Sequence, residues 1–372
     1  MKNLLCFIFL FVLIINCNTS DTPNLQVFID EDYNALFTRT NGWTGGDVAH
    51  SIPLSDSSTL WIFGDSWIGP VKDRRHYNST MISNVIAIQH SKDTYSDNLT
   101  FYYKEIDGKP APFISPSDGN GVFWFTDGGI KTSKGLFLFA SQVIKKEDDE
   151  SIFGFETIGK FIVHVKYPFD EPNNWKWNIK KMPYLYKSSE GYELSFGSPQ
   201  FISNGYIYIY GYEMNIENFE RFMILARVAE DKIIDFDTWE FFYDRKWHKE
   251  STKVTRLCNH FGAEYSVSYQ PSLKKYVTIY TENGMSDNIM LRTAAKPEGP
   301  WSEPLIVYRA PEVKWDKEYF CYAAKGHPEL SNGSNDLLVS YICNSFNFSK
   351  MVEDTRIYRP KFIRIRFADN NY

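Results

Sequence analysis

Two aspartates near the start of the chain, Asp47 and Asp65, have the spacing of a paired carboxylate site. The segments 47–54 and 59–67 are β-prone, lie on either side of a polar turn, and are predicted to form one hairpin. In such a hairpin position 47 lies opposite about position 66. Asp65 is therefore within one residue of the position that faces Asp47. Adjacent strands lie about 4.8 Å apart and diagonal neighbours about 7 to 8 Å apart. The spacing therefore predicts two carboxyl groups at neighbouring positions of one sheet.

Two carboxyl groups at such a separation suit the hydrolysis of a glycosidic bond. One donates a proton to the leaving oxygen, and the other activates water or attacks the sugar carbon directly. Mutual repulsion in a partly dry cleft raises one of the two pKa values toward the range of a working general acid. The alternative is that Asp47 and Asp65 cap turns, since Asp is common in turns beside Gly. The sequence leaves open which carboxyl is the acid and whether configuration is retained or inverted.

Three further polar residues, Asp127, Glu264 and His327, occupy equivalent places in later segments, where Gly197-Ser198 forms a fourth such place. Glu264 begins a strand that is predicted to be buried, where an unpaired carboxylate is costly. Asp127 lies in a turn-like Thr-Asp-Gly-Gly sequence, so a turn role competes with function. For His327, three alternatives stay open: binding of substrate hydroxyls, coordination of an ion or water, and a local hydrogen bond. We expect the three residues to hold substrate or to tune the aspartate pair.

Four aromatic residues lie beside the acidic positions: Trp43, Trp67, Trp124 and Tyr265. Sugar recognition needs flat apolar faces against which ring C–H groups pack, so these four are the candidates for a substrate platform. Aromatic residues make up 17% of the chain, and ordinary core packing is therefore the competing explanation for each. The carboxylate chemistry requires no cofactor, and an ion bound in a central channel stays an open alternative.

Five segments share one plan that would position these residues: a polar, Gly-containing start motif, a strand, a tight turn and a second, strongly β-prone strand. The second strands are predicted over 60–64, 136–140, 207–211, 276–280 and 337–341. Turn sequences rich in Ser, Asn or Gly separate the paired strands, and Asn204-Gly205 is the cleanest of them. Further strands follow in each segment, and no amphipathic helix of convincing length interrupts them.

This repeat predicts an all-β fold, a five-bladed β-propeller. The strands are too short and the repeats too irregular for a stacked solenoid, whereas a closed ring leaves only short, protected edges. The first strand of each propeller blade lines a central channel, so the start motifs should converge on one cleft. We expect a leader over 1–20 and a single propeller domain over 21–372, with 21–39 as an N-terminal connection.

The composition excludes several classes of protein. Hydrophobic residues make up 43% of the 372 residues, which is enough for a large core and unlike a disordered chain. The formal net charge is −6 and the basic residues are scattered, so nucleic acid is excluded as a partner. The sequence contains no Gly-x-Ser-x-Gly elbow, Walker loop, dinucleotide fingerprint or His-Glu-x-x-His motif. Catalysis by carboxyl groups is the class of chemistry that these exclusions leave.

The N-terminus has the pattern of an export signal, because Lys2 is followed by an apolar run over 4–15 that is too short to span a bilayer. Residues 14–17 resemble a lipoprotein cleavage box with Cys17 as the acylated residue, although Asn before Cys is atypical. The alternative is an ordinary signal peptide that contains a Cys. We expect an exported protein, whether periplasmic, secreted or an outer-membrane lipoprotein, with a lipid at Cys17 as its one link to a membrane.

Three cysteines, Cys258, Cys321 and Cys343, fall in the part of the chain that is predicted to fold. An odd number cannot pair completely. One disulfide with one buried thiol fits an oxidising compartment, and three separate buried thiols fit nearly as well. Their spacing does not indicate a zinc site, since no CxxC pair occurs and no histidines cluster near them.

The sequence WTGGD at 43–47, SIPL at 51–54 and LWIFGDSWIG at 60–69 resembles the opening blade of the bacterial endo-D-arabinanase family and its relatives. These are five-bladed propeller glycoside hydrolases that cleave furanoside polymers, and the resemblance implies that Asp47 and Asp65 are the catalytic pair. EGPWS at 298–302 is similar to an outer-strand turn found in five-bladed glycosidases. The match is specific over the first blade and architectural elsewhere, so the sugar is not fixed by it.

The leading hypothesis is a glycoside hydrolase, endo-acting on an arabinofuranose-containing or other polysaccharide. The main alternative is a glycan-binding surface propeller without catalysis, since fold does not dictate function. A structural or protein-binding propeller is a third alternative. The expected partner in the first two cases is a polysaccharide or an oligosaccharide, and the sequence does not fix the linkage, the oligomeric state or the metal content.

Overall fold

The computed structural model describes residues 23–95, 98–149 and 151–368. Within these ranges the chain is all-β, with many short antiparallel strands and two α-helices, α1 (Glu31–Leu36) and α2 (Phe348–Glu353). No helix of the described residues combines the length and the apolar character needed to cross a membrane. The predicted leader over 1–20, with Cys17, lies outside the described residues.

Five sheets of four or more strands follow one another along the described residues. The first sheet comprises β3 (His50–Pro53), β4 (Thr59–Phe63), β9 (Val85–Gln89) and β10 (Leu99–Tyr102). The second comprises β13 (Val122–Trp124), β14 (Gly129–Thr132), β15 (Gly135–Lys145), β16 (Phe155–Val165) and β17 (Trp177–Met182). The third comprises β18 (Leu185–Lys187), β19 (Tyr192–Ser203), β20 (Tyr206–Asn215), β21 (Arg221–Ala229), β22 (Glu240–Tyr243) and β23 (Lys246–His248). The fourth comprises β24 (Tyr265–Gln270), β25 (Lys275–Thr281), β26 (Asn288–Ala294) and β27 (Leu305–Arg309). The fifth comprises β28 (Tyr319–His327), β29 (Asp336–Ser345), β30 (Pro360–Phe367) and β1 (Leu25–Ile29).

Smaller elements connect these sheets. A three-stranded sheet contains β2 (Trp43–Gly46), β5 (Ser66–Ile68) and β8 (Thr80–Ile82). Two isolated hairpins contain β6 (Val71–Lys72) with β7 (Arg75–His76), and β11 (Lys104–Ile106) with β12 (Lys109–Ala111). Single turns of 3-10 helix span Pro172–Asn174, Glu230–Lys232, Phe236–Thr238, Glu282–Gly284, Pro311–Lys314 and Pro328–Leu330.

The five predicted second strands are confirmed, since they lie in β4, β15, β20, β25 and β29. Each is flanked by strands of its own sheet and covered on both faces, which explains why their sequences are continuous apolar runs and do not alternate. The predicted Asn204-Gly205 turn is also confirmed: both residues have positive φ, 52° and 76°, as a type I′ hairpin turn requires.

The hydrophobic core is divided into five clusters, each between two consecutive sheets. Strand β4 shows how the two-residue period of a strand builds them: Leu60 and Ile62 pack toward the second sheet, whereas Trp61 and Phe63 pack toward the fifth. The strands β3, β14, β19, β24 and β28 contact one another in that order, and β28 contacts β3. These contacts form a closed circuit around which the start motifs are arranged.

The N-terminal connection predicted over 21–39 contains strand β1 and helix α1. Strand β1 pairs antiparallel with β30, from Leu25 opposite Phe367 to Ile29 opposite Ile363, and so completes the fifth sheet. The buried guanidinium of Arg364 contacts the carboxylates of Asp30, at 2.7 Å, and Asp336, at 2.5 Å. The chain is therefore closed by pairing between its two ends.

The structure decides between the alternatives for the cysteines. Cys321 and Cys343 face each other across β28 and β29 and form a disulfide, while Cys258 is a free, half-buried thiol. Among the described residues, the one group of potential metal ligands is Glu312 with these two cysteines, whose sulfurs are bonded to each other.

Candidate active site

The aspartate pair lies where the first hairpin is interrupted. Strand β2 pairs with β5 and strand β3 pairs with β4, with Gly46 opposite Ser66 and His50 opposite Ile62. The register is the same on both sides of the gap, so Asp47 lies across from Asp65. The backbone N–H of Asp47 donates to the carbonyl oxygen of Asp65 at 3.2 Å. The predicted neighbouring positions of the two aspartates are thus observed.

The gap itself has a strained backbone. Val48 and Ala49 have φ values of 68° and 50°, a region that a β-branched residue such as valine adopts at a cost. The ammonium of Lys325 donates to the carbonyl oxygen of Val48 and holds this conformation from the fifth sheet. A Cβ atom at Gly64 would overlap Oδ1 of Asp47 and crowd the side chain of Val48, so a larger residue there would displace this carboxyl group. Strain at this position accompanies the placement of Asp47.

The carboxyl group of Asp47 is enclosed by the fifth sheet. The hydroxyl of Tyr322 donates to Oδ2 at 2.9 Å. Oδ1 is buried and has no hydrogen-bond partner among the described residues. Burial raises the pKa of Asp47 well above its usual value, and the nearby charges of Asp65 and Glu264 raise it further. Asp47 therefore binds a proton far more readily than an exposed aspartate.

Asp65 lies at the edge of an open cavity of about 420 Å³. Its Oδ1 accepts a hydrogen bond of 2.9 Å from the indole N–H of Trp124, which lines the same cavity. Burial raises the pKa of Asp65 to about 7, while the Trp124 hydrogen bond lowers it. This carboxyl group can donate a proton near neutral pH.

Glu264 forms an ion pair with Lys325, which the sequence did not single out. The Nζ–Oε2 distance is 2.8 Å, and 1% of the Lys325 side chain and 13% of the Glu264 side chain are exposed. Because Lys325 neutralises its charge, burial of Glu264 is less unfavourable than burial of an unpaired glutamate. Lys325 lies in the start motif of the fifth segment, directly before Gly326-His327, and that place in the repeat is the signal that could have identified it.

Asp127 is buried and neutralised by a neighbouring cation. The ammonium of Lys160 lies 2.6 Å from its Oδ2, and the hydroxyl of Ser141 donates to the same atom at 3.3 Å. The side chain also packs against Gly197 of the third sheet. Asp127 thus joins the second and third sheets near the circuit of first strands, and within the described residues no hydrogen bond or ion pair links its side chain to Asp47 or Asp65.

His327 lies deeper along β28 and is fully enclosed. Its Nδ1 lies 2.5 Å from the hydroxyl oxygen of Ser51, and its Nε2 lies 2.8 Å from that of Ser340. Burial and the charge of Lys325 lower its pKa to about 3, so the imidazole is neutral. Of the three alternatives predicted for His327, local hydrogen bonding is the one for which the structure shows contacts.

Three of the four predicted platform aromatics are core residues. Trp43, Trp67 and Tyr265 are all buried, and the Tyr265 hydroxyl donates to the carbonyl of Gly211 at 2.7 Å. Their rings cannot present a face to a sugar, because neighbouring side chains cover them; for these three residues the prediction is corrected. Trp124 is half-buried and borders the cavity beside Asp65.

An aromatic surface that the sequence did not indicate lies above the pair. Phe155 packs edge-on against Trp124, with ring centroids 4.7 Å apart, and Phe153 lies 6.2 Å from Phe320 of the fifth sheet. The segment 153–155 therefore extends from Trp124, which donates to Asp65, to Phe320. Phe320 in turn packs against Tyr322, with ring centroids 5.7 Å apart, and Tyr322 donates to Asp47. We call Trp124, Phe153, Phe155, Phe320 and Phe346 the aromatic rim.

Parts of the aromatic rim are open to solvent. Phe153, Phe155 and Phe346 are exposed, and Phe346 packs against Phe320 with ring centroids 4.5 Å apart. Apolar faces next to titratable carboxyls are the two features that a carbohydrate site combines. The arrangement places exposed aromatic faces beside two carboxyl groups whose pKa values are raised by burial.

Comparisons with known proteins agree with this fold. A crystal structure of a Bacteroides ovatus protein, named as a candidate hydrolase, is similar with a TM-score of 0.72 and 18% identity, over 92% of this chain and 90% of that one. An exo-β-1,3-galactanase from Phanerochaete chrysosporium matches with a TM-score of 0.48 and 10% identity, over 91% of this chain and 63% of that one. A GH62 α-L-arabinofuranosidase from Coprinopsis cinerea matches with a TM-score of 0.46 and 7% identity, over 89% and 92%.

The first similarity shows a shared fold, and the two weaker ones carry no argument. No curated protein matches the chain in sequence. The resemblance to endo-D-arabinanases stays a prediction. Residues 30–371 match the family described as "Domain of unknown function (DUF5005)", and the chain therefore belongs to that family.

Proposed function

We propose that the protein is a glycoside hydrolase in which Asp47 and Asp65 perform the chemistry. The observation that carries the proposal is their arrangement: two carboxyl groups on facing positions of one hairpin, each bound by one aromatic residue, Tyr322 or Trp124, and both with raised pKa values. Such a pair supplies the acid and the base or nucleophile that the reaction needs.

In the proposed reaction, Asp65 protonates the leaving oxygen, since it borders the open cavity and has a pKa of about 7. Protonation of Asp65 removes the negative charge that raises the pKa of Asp47, so the pair favours a state with one proton. In the proposed reactive state Asp47 is the ionised partner even though burial favours its protonated form, and the Tyr322 hydroxyl and the ammonium of Lys325 stabilise this carboxylate. It activates water or attacks the anomeric carbon.

We further propose that the five sheets are the blades of a five-bladed propeller formed by residues 21–372. Two observations support this arrangement: the first strands contact one another in a closed circuit, and one hydrophobic cluster lies between each pair of consecutive sheets. A propeller places the loops of several blades around one cleft, which is where the aspartate pair and the aromatic rim meet.

The proposed substrate is a polysaccharide or an oligosaccharide. The exposed rings of the aromatic rim support it, because sugars pack their C–H faces on such surfaces. The resemblance of the first blade to endo-D-arabinanases favours an arabinofuranose-containing polymer and endo action. Export, and lipidation at Cys17, remain part of the proposal; the Cys321–Cys343 disulfide supports an oxidising compartment.

The test is to incubate the purified protein with plant, algal and mycobacterial polysaccharides and to measure the release of reducing ends and of oligosaccharides. We expect products from at least one furanoside-containing polymer. The exposed rim alone could also bind glycans, which is the specific support for a non-catalytic binding protein. That alternative predicts retention on an immobilised polysaccharide with no reducing ends released from any polymer.

A further inference from the structure

A second cavity, of about 580 Å³, lies beside the outer part of the fifth sheet, away from the aspartate pair. It is bordered by the N-terminal segment with α1, by the end of β27 at Tyr308, by the 3-10 turn at Pro311–Lys314 and by the start of β30. Its volume falls within the range of about 300–1,000 Å³ that is common for small-molecule sites. Nothing in the proposed hydrolysis uses it.

Two cations of this cavity lack an anionic partner among the described residues. The side chains of Arg359 and Lys361 make no ion pair and no hydrogen bond with any of the described residues, although both are only partly exposed. Neighbouring arginines differ: Arg356 pairs with Asp354 at 2.7 Å, and Arg364 pairs with Asp30 and Asp336. A partly buried cation without an acceptor is unfavourable. Burial and the charge of Arg359 lower the pKa of Lys361 to about 8, in agreement with this unpaired state.

Two carboxylates line the cavity, the exposed Glu31 and the buried Glu312, and neither makes an ion pair with these cations. Glu312 is buried, and its Oε2 accepts a hydrogen bond of 3.1 Å from the Tyr341 hydroxyl. It lies close enough to raise the pKa of Lys361, but makes no ion pair with it. The formal charges of the lining balance, but neither carboxylate pairs with Arg359 or Lys361 among the described residues, so an anionic group is the partner that these two cations lack.

An aromatic residue forms another part of the wall. Trp315 is 43% exposed, and the Lys361 ammonium lies 5.7 Å from its ring centroid. The Arg356 guanidinium lies 4.7 Å from the same centroid, and Trp315, Arg359 and Lys361 all line the cavity. A small inorganic anion makes no use of a flat apolar surface. A sugar ring can pack on such a face while its acidic substituent pairs with the cations.

We propose that this cavity is a second binding site, for a sugar ring that carries a carboxylate or a sulfate. The guanidinium of Arg359 would take the anionic group, since its paired donors match the two oxygens of a carboxylate. Lys361 would supply a second positive charge, and Trp315 would pack against the ring. The site does not depend on the proposed hydrolysis, because none of its residues belongs to the aspartate pair or the aromatic rim.

Binding can be measured by NMR titration of the full-length protein with glucuronate, glucose and inorganic sulfate. We expect glucuronate to bind and glucose to bind at least roughly tenfold more weakly, because glucose lacks the charged group that would accept hydrogen bonds from Arg359 and Lys361. Sulfate alone should bind more weakly than glucuronate, since it makes no contact with Trp315. Sulfate that binds as tightly as glucuronate would overturn the assignment to a sugar, and absence of binding by all anions would overturn the site.

Three variants locate the binding. Arg359→Gln and Lys361→Gln should each weaken glucuronate binding roughly tenfold or more, and Trp315→Ala should weaken glucuronate binding while leaving sulfate binding unchanged. Lys314→Gln is the control, since Lys314 is an exposed lysine of the adjacent turn outside the cavity. Thermal unfolding of each variant shows that it is folded. Equal loss in the control, or no loss in Arg359→Gln and Lys361→Gln, would contradict the proposal.

Discussion

The Tyr322 hydroxyl donates to Oδ2 of Asp47 at 2.9 Å and so joins the fifth sheet to the first at the candidate active site. Burial keeps the pKa of Tyr322 well above its usual value, so the phenol remains a donor throughout the range in which carboxyls titrate. This hydrogen bond lowers the pKa of Asp47 against the effects of burial and of Asp65. Tyr322 is thus the group that favours the ionised form of Asp47.

Replacing this donor tests its role. In Tyr322→Phe the pKa of Asp47 should rise, because the hydrogen bond that stabilises the carboxylate is lost. The acid side of the pH–kcat/KM profile should therefore move to higher pH, and kcat/KM at its optimum should fall roughly tenfold to a hundredfold. Tyr186→Phe, at an exposed tyrosine, is the control and should leave the profile unchanged. An unshifted acid limb in Tyr322→Phe would show that the hydrogen bond does not tune Asp47.

The alkaline side of the profile reports Asp65. Since the proposed acid must be protonated, kcat/KM should fall as pH rises above the Asp65 pKa of about 7. The Trp124 indole N–H stabilises the carboxylate and lowers this pKa, so Trp124→Phe should move the alkaline limb to higher pH. A shift to lower pH, or a profile that stays flat between pH 6 and about 9, would contradict the assignment.

The roles of the two aspartates can be separated by the leaving group. Once the polysaccharide panel has identified the sugar, its nitrophenyl glycoside provides a substrate that departs without protonation. Asp65→Asn should then cleave this glycoside far better than it cleaves the polymer, whereas Asp47→Asn should be inactive on both, because the attacking or activating group is missing. The reverse pattern would make Asp47 the acid.

Closure of the fold depends on a buried ion pair. Arg364→Met would leave the carboxylates of Asp30 and Asp336 without their cation, which should lower the free energy of unfolding by about 3–5 kcal/mol. Denaturant unfolding measures this change. Arg366→Met is the matched control on the same strand, because Arg366 is exposed and packs over Phe28; its loss should cost about 1 kcal/mol or less. Equal effects in the two variants would show that strand β1 is not held by Arg364.

Strands were predictable where local pattern decides them. The five second strands are continuous apolar runs bounded by turn residues, and Asn204-Gly205 has a single compatible turn geometry. The facing of Asp47 and Asp65 followed from hairpin register alone, because side-chain position in a hairpin is fixed by counting residues.

Features that depend on distant segments were not predictable. The sequence 25–29 gives no sign that it pairs with β30, since the partner lies at the other end of the chain. Lys325 is an ordinary lysine until the ring of contacts brings it to Glu264. Trp43, Trp67 and Tyr265 lie within four residues of an acidic residue in sequence, yet all three are buried in the core. Strand alternation accounts for Tyr265, which directly follows Glu264 and so points to the opposite face. The burial of the two tryptophans depends on packing between sheets.

The most direct measurement is the rate at which Asp47→Asn and Asp65→Asn release reducing ends from the polymer cleaved by the unmodified protein. Both variants should unfold at the temperature of the unmodified protein or above, since each removes a buried carboxyl, and both should lose about 100- to 10,000-fold in kcat. Asp56→Asn, in the exposed turn of the same hairpin, should retain full activity. Near-normal release by both Asp47→Asn and Asp65→Asn would contradict the assignment of the reaction to this pair.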